Sequence, residues 1–187
     1  MKKKYKNILI KGKKIYLRPL TIGDVNKEYI SWLNDKENNR HRFFAIAKST
    51  MTSLKNYVYK RTKDPNVFFF AIIDIQSNTH IGNIKLEPID WQKKSAIFGR
   101  LIGSKVFKRK GYGTEAVKLI LEFSFKTLKL HKVCAGCLKS NIGAIKSNKK
   151  NGMKIETRKK VNIKNMHYEI VQLGILKKYW KKINKYI

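Results

Sequence analysis

Between an apolar run at 96–103 and a helical pattern at 114–128, the chain reads Lys108-Arg109-Lys110-Gly111-Tyr112-Gly113-Thr114-Glu115-Ala116. A strand, a basic glycine loop and a helix in that order require a fold in which a strand end hands the backbone to a helix N-terminus. Glycines let the backbone approach an anion closely, and the first helical turn offers N–H groups with no intrahelical acceptor. Three consecutive cations, Lys108 to Lys110, add charge at the same place. The segment reads as a cradle for a phosphate-bearing, nucleotide-like cofactor.

The pattern around it gives an order of elements. Residues 8–20 alternate apolar and polar side chains and read as a first strand. Thr21, with Asp24 three residues on, suits the N-cap of a helix over 22–33, and Asn34-Asp35 and Asn38-Asn39 break it. Residues 51–61 suit a second helix, capped by Thr52 or Ser53. Residues 67–75 are apolar on both faces, as in a central strand, and 80–88 follow as a hairpin partner. A fourth strand at 95–103, the helix at 114–128 and a fifth strand at 132–138 come next. A short helix at 142–151 ends on Gly152, and strands at 154–161 and 166–175 close the pattern. The result is an α/β (α+β) domain, β-α-α-β-β-β-α-β-α-β-β. No linker, repeat or low-complexity tract divides it, so a single domain is expected over 1–187, with a basic aromatic tail at 176–187.

Composition narrows the partners. The net charge is +31. An anionic partner and AT-rich coding bias both account for it, since lysine outnumbers arginine roughly five to one. Scarce arginine argues against nucleic acid, whose recognition favours bidentate guanidinium contacts. Like-charge repulsion argues against a polycationic substrate such as a polyamine or aminoglycoside. No apolar run reaches the roughly 18 residues of a membrane span, and the apolar patch near the N-terminus is short for a signal peptide. A cytoplasmic protein, monomer or homodimer, is the expectation. Cys134 and Cys137 form C-x-x-C, but within a strand residues three apart face opposite ways, so no metal site is expected there.

The order of elements and the 108–113 loop resemble the GNAT superfamily of N-acetyltransferases. The family's loop is Gln/Arg-x-x-Gly-x-Gly/Ala. Here Lys108 stands in the Gln/Arg slot, with Gly111 and Gly113 in the glycine slots. Asn141 after the fifth strand, Gly152-Met153, the opening Ile15-Tyr16-Leu17-Arg18-Pro19-Leu20 with Asp24, and Ser31-Trp32-Leu33-Asn34-Asp35 extend the match. They are similar to the branch containing ribosomal-protein N-terminal acetyltransferases. Ile81-Gly82-Asn83-Ile84-Lys85-Leu86 looks more like members acting on amino sugars in polysaccharide synthesis.

The resemblance implies a mostly antiparallel mixed sheet of about seven strands, splayed between its fourth and fifth, with about four helices. It implies acetyl-CoA as cosubstrate and no metal. Leu101, Ile102 and Gly103 would lie beside the pantetheine. Lys108, Arg109, Lys110, Gly111, Tyr112, Gly113 and Thr114 would hold the pyrophosphate, and Asn141 would touch the pantetheine arm.

Acetyl transfer needs a neutral amine, an N–H donor for the developing oxyanion, and relief for the departing thiolate. The backbone N–H near Ile102 would serve the second. Many relatives place a tyrosine acid seven residues after the Asn141 slot, where this chain has Asn148, an amide that donates a hydrogen bond but no proton. Some carry a glutamate base where this chain has Gly136. Glu87 and Asp90 remain as candidate relays. Asn34, Arg40, Asn83 and Lys85 are candidate acceptor-binding residues, with Trp32, His41 and Arg42 nearby in sequence. His80, His131 and His167 read as packing or strand-end residues. The expected reaction is N-acetylation of a small anionic amine, foremost a nucleotide-linked amino sugar. The alternatives are a protein α-amino group or a non-catalytic basic domain binding nucleic acid or anionic lipid.

Overall fold

The computed structural model describes residues 7–40, 48–163 and 166–183. His41 and Arg42 lie outside them. Eight strands form one sheet in the order β1-β2-β3-β4-β5-β6-β8-β7. They are β1 (Ile10–Lys11), β2 (Ile15–Pro19), β3 (Phe68–Asp74), β4 (His80–Asp90), β5 (Ser95–Ile102), β6 (Lys132–Leu138), β7 (Lys154–Ile163) and β8 (Met166–Leu176). The helices are α1 (Lys27–Asn34), α2 (Lys36–Asn39), α3 (Met51–Lys63), α4 (Tyr112–Glu122), α5 (Ile142–Lys150) and α6 (Lys177–Ile183).

All neighbouring strands are antiparallel except β5 and β6. Those two run parallel because the connection between them carries α4, a crossover rather than a hairpin. They pair only through Ser95, Ala96 and Ile97 against Lys132, Val133 and Cys134. Beyond that point β5 stays on β4 as far as Ile102, and β6 stays on β8 as far as Leu138. The sheet therefore opens into the expected V, between these two strands.

Two apolar layers hold the sheet. On one face α4 buries Ala116, Val117, Ile120 and Leu121 against Ile84, Phe98, Val133 and Leu173. On the other, α1 and α3 bury Tyr29, Trp32, Leu54 and Val58 against Phe69, Ala71 and Ile73. Cys137 belongs to the α4 layer and Cys134 does not, which puts the two thiols on opposite faces.

Several boundaries differ from expectation. The strand read over 8–20 is broken at 12–14, where the Glu115 carboxylate accepts from the Lys13 N–H and from the Lys14 N–H at 3.0 Å. The helix read over 22–33 becomes a 3-10 turn at Ile22–Asp24 followed by α1, because Asn26 caps α1 by accepting from the Tyr29 N–H at 2.8 Å. Thr50, rather than Thr52 or Ser53, caps α3. The helix read over 114–128 closes in a π turn, Phe123–Thr127. The tail read at 176–187 is a helix over its described part. Trp180 is buried there, with its ring 5.3 Å from that of Phe125.

Candidate active site

The open end of the V is where the end of β5, the loop into α4 and the start of α5 come together. The loop after β5 turns on Arg109 (φ 61°) and Gly111 (φ 90°), and Gly111 is the N-cap of α4. A β-carbon at Gly111 would meet open space, so glycine is required there by conformation and not by crowding. The first α4 turn leaves the Tyr112 and Gly113 N–H groups without intrahelical acceptors. Lys14 donates to the Lys110 carbonyl at 3.2 Å and stands 5.7 Å from the Tyr112 ring centre. Lys108 pairs with Glu37 at 3.5 Å, while Arg109 and Lys110 are exposed. Across the mouth, Asn141 caps α5 by accepting from the Ala144 N–H at 3.1 Å. Asn151 ties α5 to α4 by donating to the Thr114 carbonyl at 3.1 Å. The structure thus gathers Leu101 to Gly103, the 108–114 loop and Asn141 around one opening.

The fit to an acetyl-CoA molecule rests on three observations. The loop offers helix-start N–H groups and basic side chains. The β5 edge from Phe98 onward has no strand partner on the β6 side. A gap lies between the diverging strands. Together they suit a pyrophosphate joined to an extended, amide-bearing arm.

Two polar groups line different faces of this gap. On the α4 and α5 face, Asn148 is buried and accepts from Arg100 Nη1 at 3.3 Å. Arg100 is partly buried, and burial pushes its guanidinium down to about 10, which leaves it cationic near neutral pH. Cys137 lies across from it, its thiol pushed up by burial against the opposing pull of Arg100. A β-carbon at Gly113 would sit 3.0 Å from Arg100 Nε, so the second loop glycine makes room for this side chain.

On the other face, Asn83 is buried and lies in register with Leu101. His80 Nε2 is 3.0 Å from Asn83 Oδ1 and 2.9 Å from the Gly82 carbonyl. Both are acceptors, so Nε2 carries the hydrogen. Burial lowers the His80 pKa, which favours the neutral ring, and Trp32 packs edge-on at 5.1 Å. The Asn83 Nδ2 is buried with no hydrogen-bond partner. Asn38 donates to the Trp32 carbonyl at 3.0 Å and to the Gly103 carbonyl at 3.2 Å, docking α2 on the end of β5.

The other expected residues are placed differently. Asn83, Lys85 and Glu87 share one face, yet only Asn83 is level with the opening. Ile102 is in register with Gly82. Glu87 stands five residues further along, about 17 Å at strand spacing. Its carboxylate is held by Arg61 at 3.0 Å and by Lys85. Its register and these two cations set it apart from the opening. Asp90 is farther still, opposite Ser95, and accepts from the Lys93 N–H at 2.8 Å. Lys85 also donates to the Tyr57 hydroxyl at 2.6 Å. Asn34 has both amide atoms bonded to the Ser49 backbone, at 2.8 and 2.9 Å, and acts as a loop clamp. Arg40 is exposed after α2.

Arg100 and His80 join the site although the sequence alone marks neither as functional. The signal for Arg100 was one cation inside an otherwise apolar strand. For His80 it was the spacing to Asn83, which a β-bulge between Ile72 and Ile73 brings into contact.

A sheet split between parallel strands, with a glycine loop feeding a helix at the split, defines an acyl-CoA-dependent transferase architecture. Comparison with known proteins agrees. Residues 14–154 match the acetyltransferase (GNAT) domain, and the chain belongs to that family. It is 28% identical over 181 residues to the probable N-acetyltransferase YjcK of Bacillus subtilis (strain 168), covering 90% of this chain and 97% of that one. Among solved structures, it is similar to the spermidine N-acetyltransferase from Vibrio cholerae in complex with CoA and spermine. The TM-score is 0.81 at 22% identity, over 90% of this chain and 99% of that one. A GNAT-family acetyltransferase from Bacillus anthracis gives a TM-score of 0.80 at 22% identity, over 91% and 99%. The protein is therefore an acetyltransferase of the GNAT fold, a family that uses acetyl-CoA. None of the described helices is long and apolar enough to cross a membrane.

Proposed function

We propose that the protein transfers the acetyl group of acetyl-CoA to the primary amine of a small anionic acceptor, foremost a nucleotide-linked amino sugar. The observation that carries the acceptor class is the pairing of acids around the cleft. Asp24 is held by Arg18, Asp35 by Lys105 and Glu37 by Lys108. A polyamine would need such carboxylates for itself, and it would approach a chain of net charge +31. The likeness to a spermidine enzyme, at 22% identity, is one of fold.

Bound acetyl-CoA supplies the activated acyl group. On this reading the amine comes in beside Asn83 and neutral His80, where the unpartnered Asn83 Nδ2 would donate to an acceptor oxygen. With Glu87 paired and set apart from the opening, an amine of low basicity is favoured. Deprotonating one with pKa about 8 costs about 1.4 kcal/mol at pH 7, against roughly 4–5 for a lysine-type amine. Water then suffices to carry the proton away.

Incubation with labelled acetyl-CoA and parallel panels of nucleotide amino sugars, N-terminal peptides and spermidine tests the reading. Turnover confined to the first panel is expected. Turnover on peptides alone would replace the acceptor with a protein α-amino group, and preference for spermidine would overturn the charge reasoning.

A further inference from the structure

Arg100 is a cation kept in the wall of the cleft without a carboxylate. Among the described residues its one hydrogen bond within the protein goes to a neutral amide, Asn148 Oδ1, at 3.3 Å. The groups around it are the Gly113 backbone of α4, Asn148 of α5 and Cys137 of β6, and none of them carries a full negative charge as a thiol or amide. A partly desolvated cation without a counter-charge is costly to keep, and replacing such a group by an apolar one is often neutral or stabilising. On the opposite face, Asp24, Asp35 and Glu37 each already have a cation. The missing anion is therefore one that arrives with, or forms during, the reaction.

The position selects which anion. Arg100 is on β5, two residues before Ile102, along the edge that β6 leaves unpaired. Its side chain is on the α4 and α5 face, with Asn148, whereas Asn83, His80 and Trp32 occupy the opposite face. An amine delivered beside Asn83 forms a C–N bond to the acyl carbon. The C–S bond then breaks, the sulfur leaves with the electron pair as thiolate, and the amine proton passes to water. The α5 face, rather than the amine face, is where that charge can meet a cation.

Resting on the acetyl-CoA reading above, we propose that Arg100 receives the departing coenzyme A thiolate and stabilises it as an ion pair, with Asn148 holding the guanidinium in place. Charge stabilisation by a fixed cation takes over the task of a proton donor, which the Asn148 amide cannot perform.

The test compares CoA with desulfo-CoA on the wild type, Arg100→Lys and Arg100→Met. Calorimetry in buffers of different ionisation enthalpy and the ultraviolet absorbance of thiolate both report ionisation of the bound thiol. On the wild type the thiol should titrate about one pH unit below its free value of roughly 8.5, a tenfold change in acidity. Arg100→Met should restore the free value, bind desulfo-CoA as tightly as the wild type and unfold at no lower temperature. Arg100→Lys should retain part of the shift. Equal weakening of CoA and desulfo-CoA by Arg100→Met would overturn the proposal and assign Arg100 to a phosphate or the pantetheine. An unshifted thiol on the wild type would also overturn it, with CoA binding intact. Binding of neither ligand by the wild type would instead bring down the acetyl-CoA reading itself.

Discussion

Replacing Gly103 by alanine drives a methyl group into the indole of Trp32. The added β-carbon would lie 2.1 Å from Trp32 Cδ2 and 2.3 Å from Cγ and Cε3. Carbon atoms rest about 3.5–4.0 Å apart, so the ring must retreat by more than about 1 Å. It has little room to do so, because Trp32 is buried between Tyr29 at 5.6 Å and His80 at 5.1 Å. The backbone is also held on both sides, the Gly103 N–H by the Ile81 carbonyl at 2.9 Å and its carbonyl by Asn38 at 3.2 Å. Overpacking of this kind costs about 1–3 kcal/mol, and the overlap places Gly103→Ala at the upper end. For a chain of this size that is a fall in Tm of about 6–12 °C. Differential scanning calorimetry of Gly103→Ala, Trp32→Leu and the double variant measures it. The smaller side chain should recover most of the alanine penalty, a coupling of about 1–3 kcal/mol. A Gly103→Ala protein with unchanged Tm, or two penalties that simply add, would refute the steric account.

Other substitutions probe separate links. Burial works against the charge on Asp24, but bonds from Arg18 and Thr21 outweigh it and hold the carboxyl below its usual range. A lowered native pKa adds stability above about pH 3.9, lost as pH falls through the native value, so Asp24→Ala should flatten the acid limb of urea titrations and cost about 1.5–3 kcal/mol at pH 7. Glu87→Gln should leave turnover far above the hundredfold loss that removal of a general base brings, as a kcat comparison will show. Gly111→Ala forces a φ of 90° on a side chain and should cost about 1–2 kcal/mol in chemical denaturation. Trp180→Ala should cost about 3–5 kcal/mol, because the ring sits in the main core.

Much of the architecture was legible because it is written in local rules. The apolar run at 96–103, the glycines at 111 and 113 and the apolar face of 114–128 are short-range signals, and they located the split and the loop. Residues 8–20 failed because the break at 12–14 is imposed by Glu115, about a hundred positions away and invisible to any window. The tail failed because its charges concealed Trp180 and Ile183, spaced three apart on one helical face. At the site, the chemistry and face of Glu87 are legible in the sequence, whereas its distance depends on the register of β4 with β5. Arg100 needed knowledge of two helices and a neighbouring strand before a lone arginine in a strand acquired meaning.

The short pairing of β5 with β6 also makes the sheet two leaves joined by a three-residue spine, with the amides of 98–102 left along one margin. A ligand arm laid against that margin substitutes for missing sheet. Cofactor supply then becomes part of the protein's mechanical integrity: with cofactor at 100 times its Kd, about 2.7 kcal/mol of added stability follows. Slower hydrogen exchange along the 98–102 edge would record the seam closing.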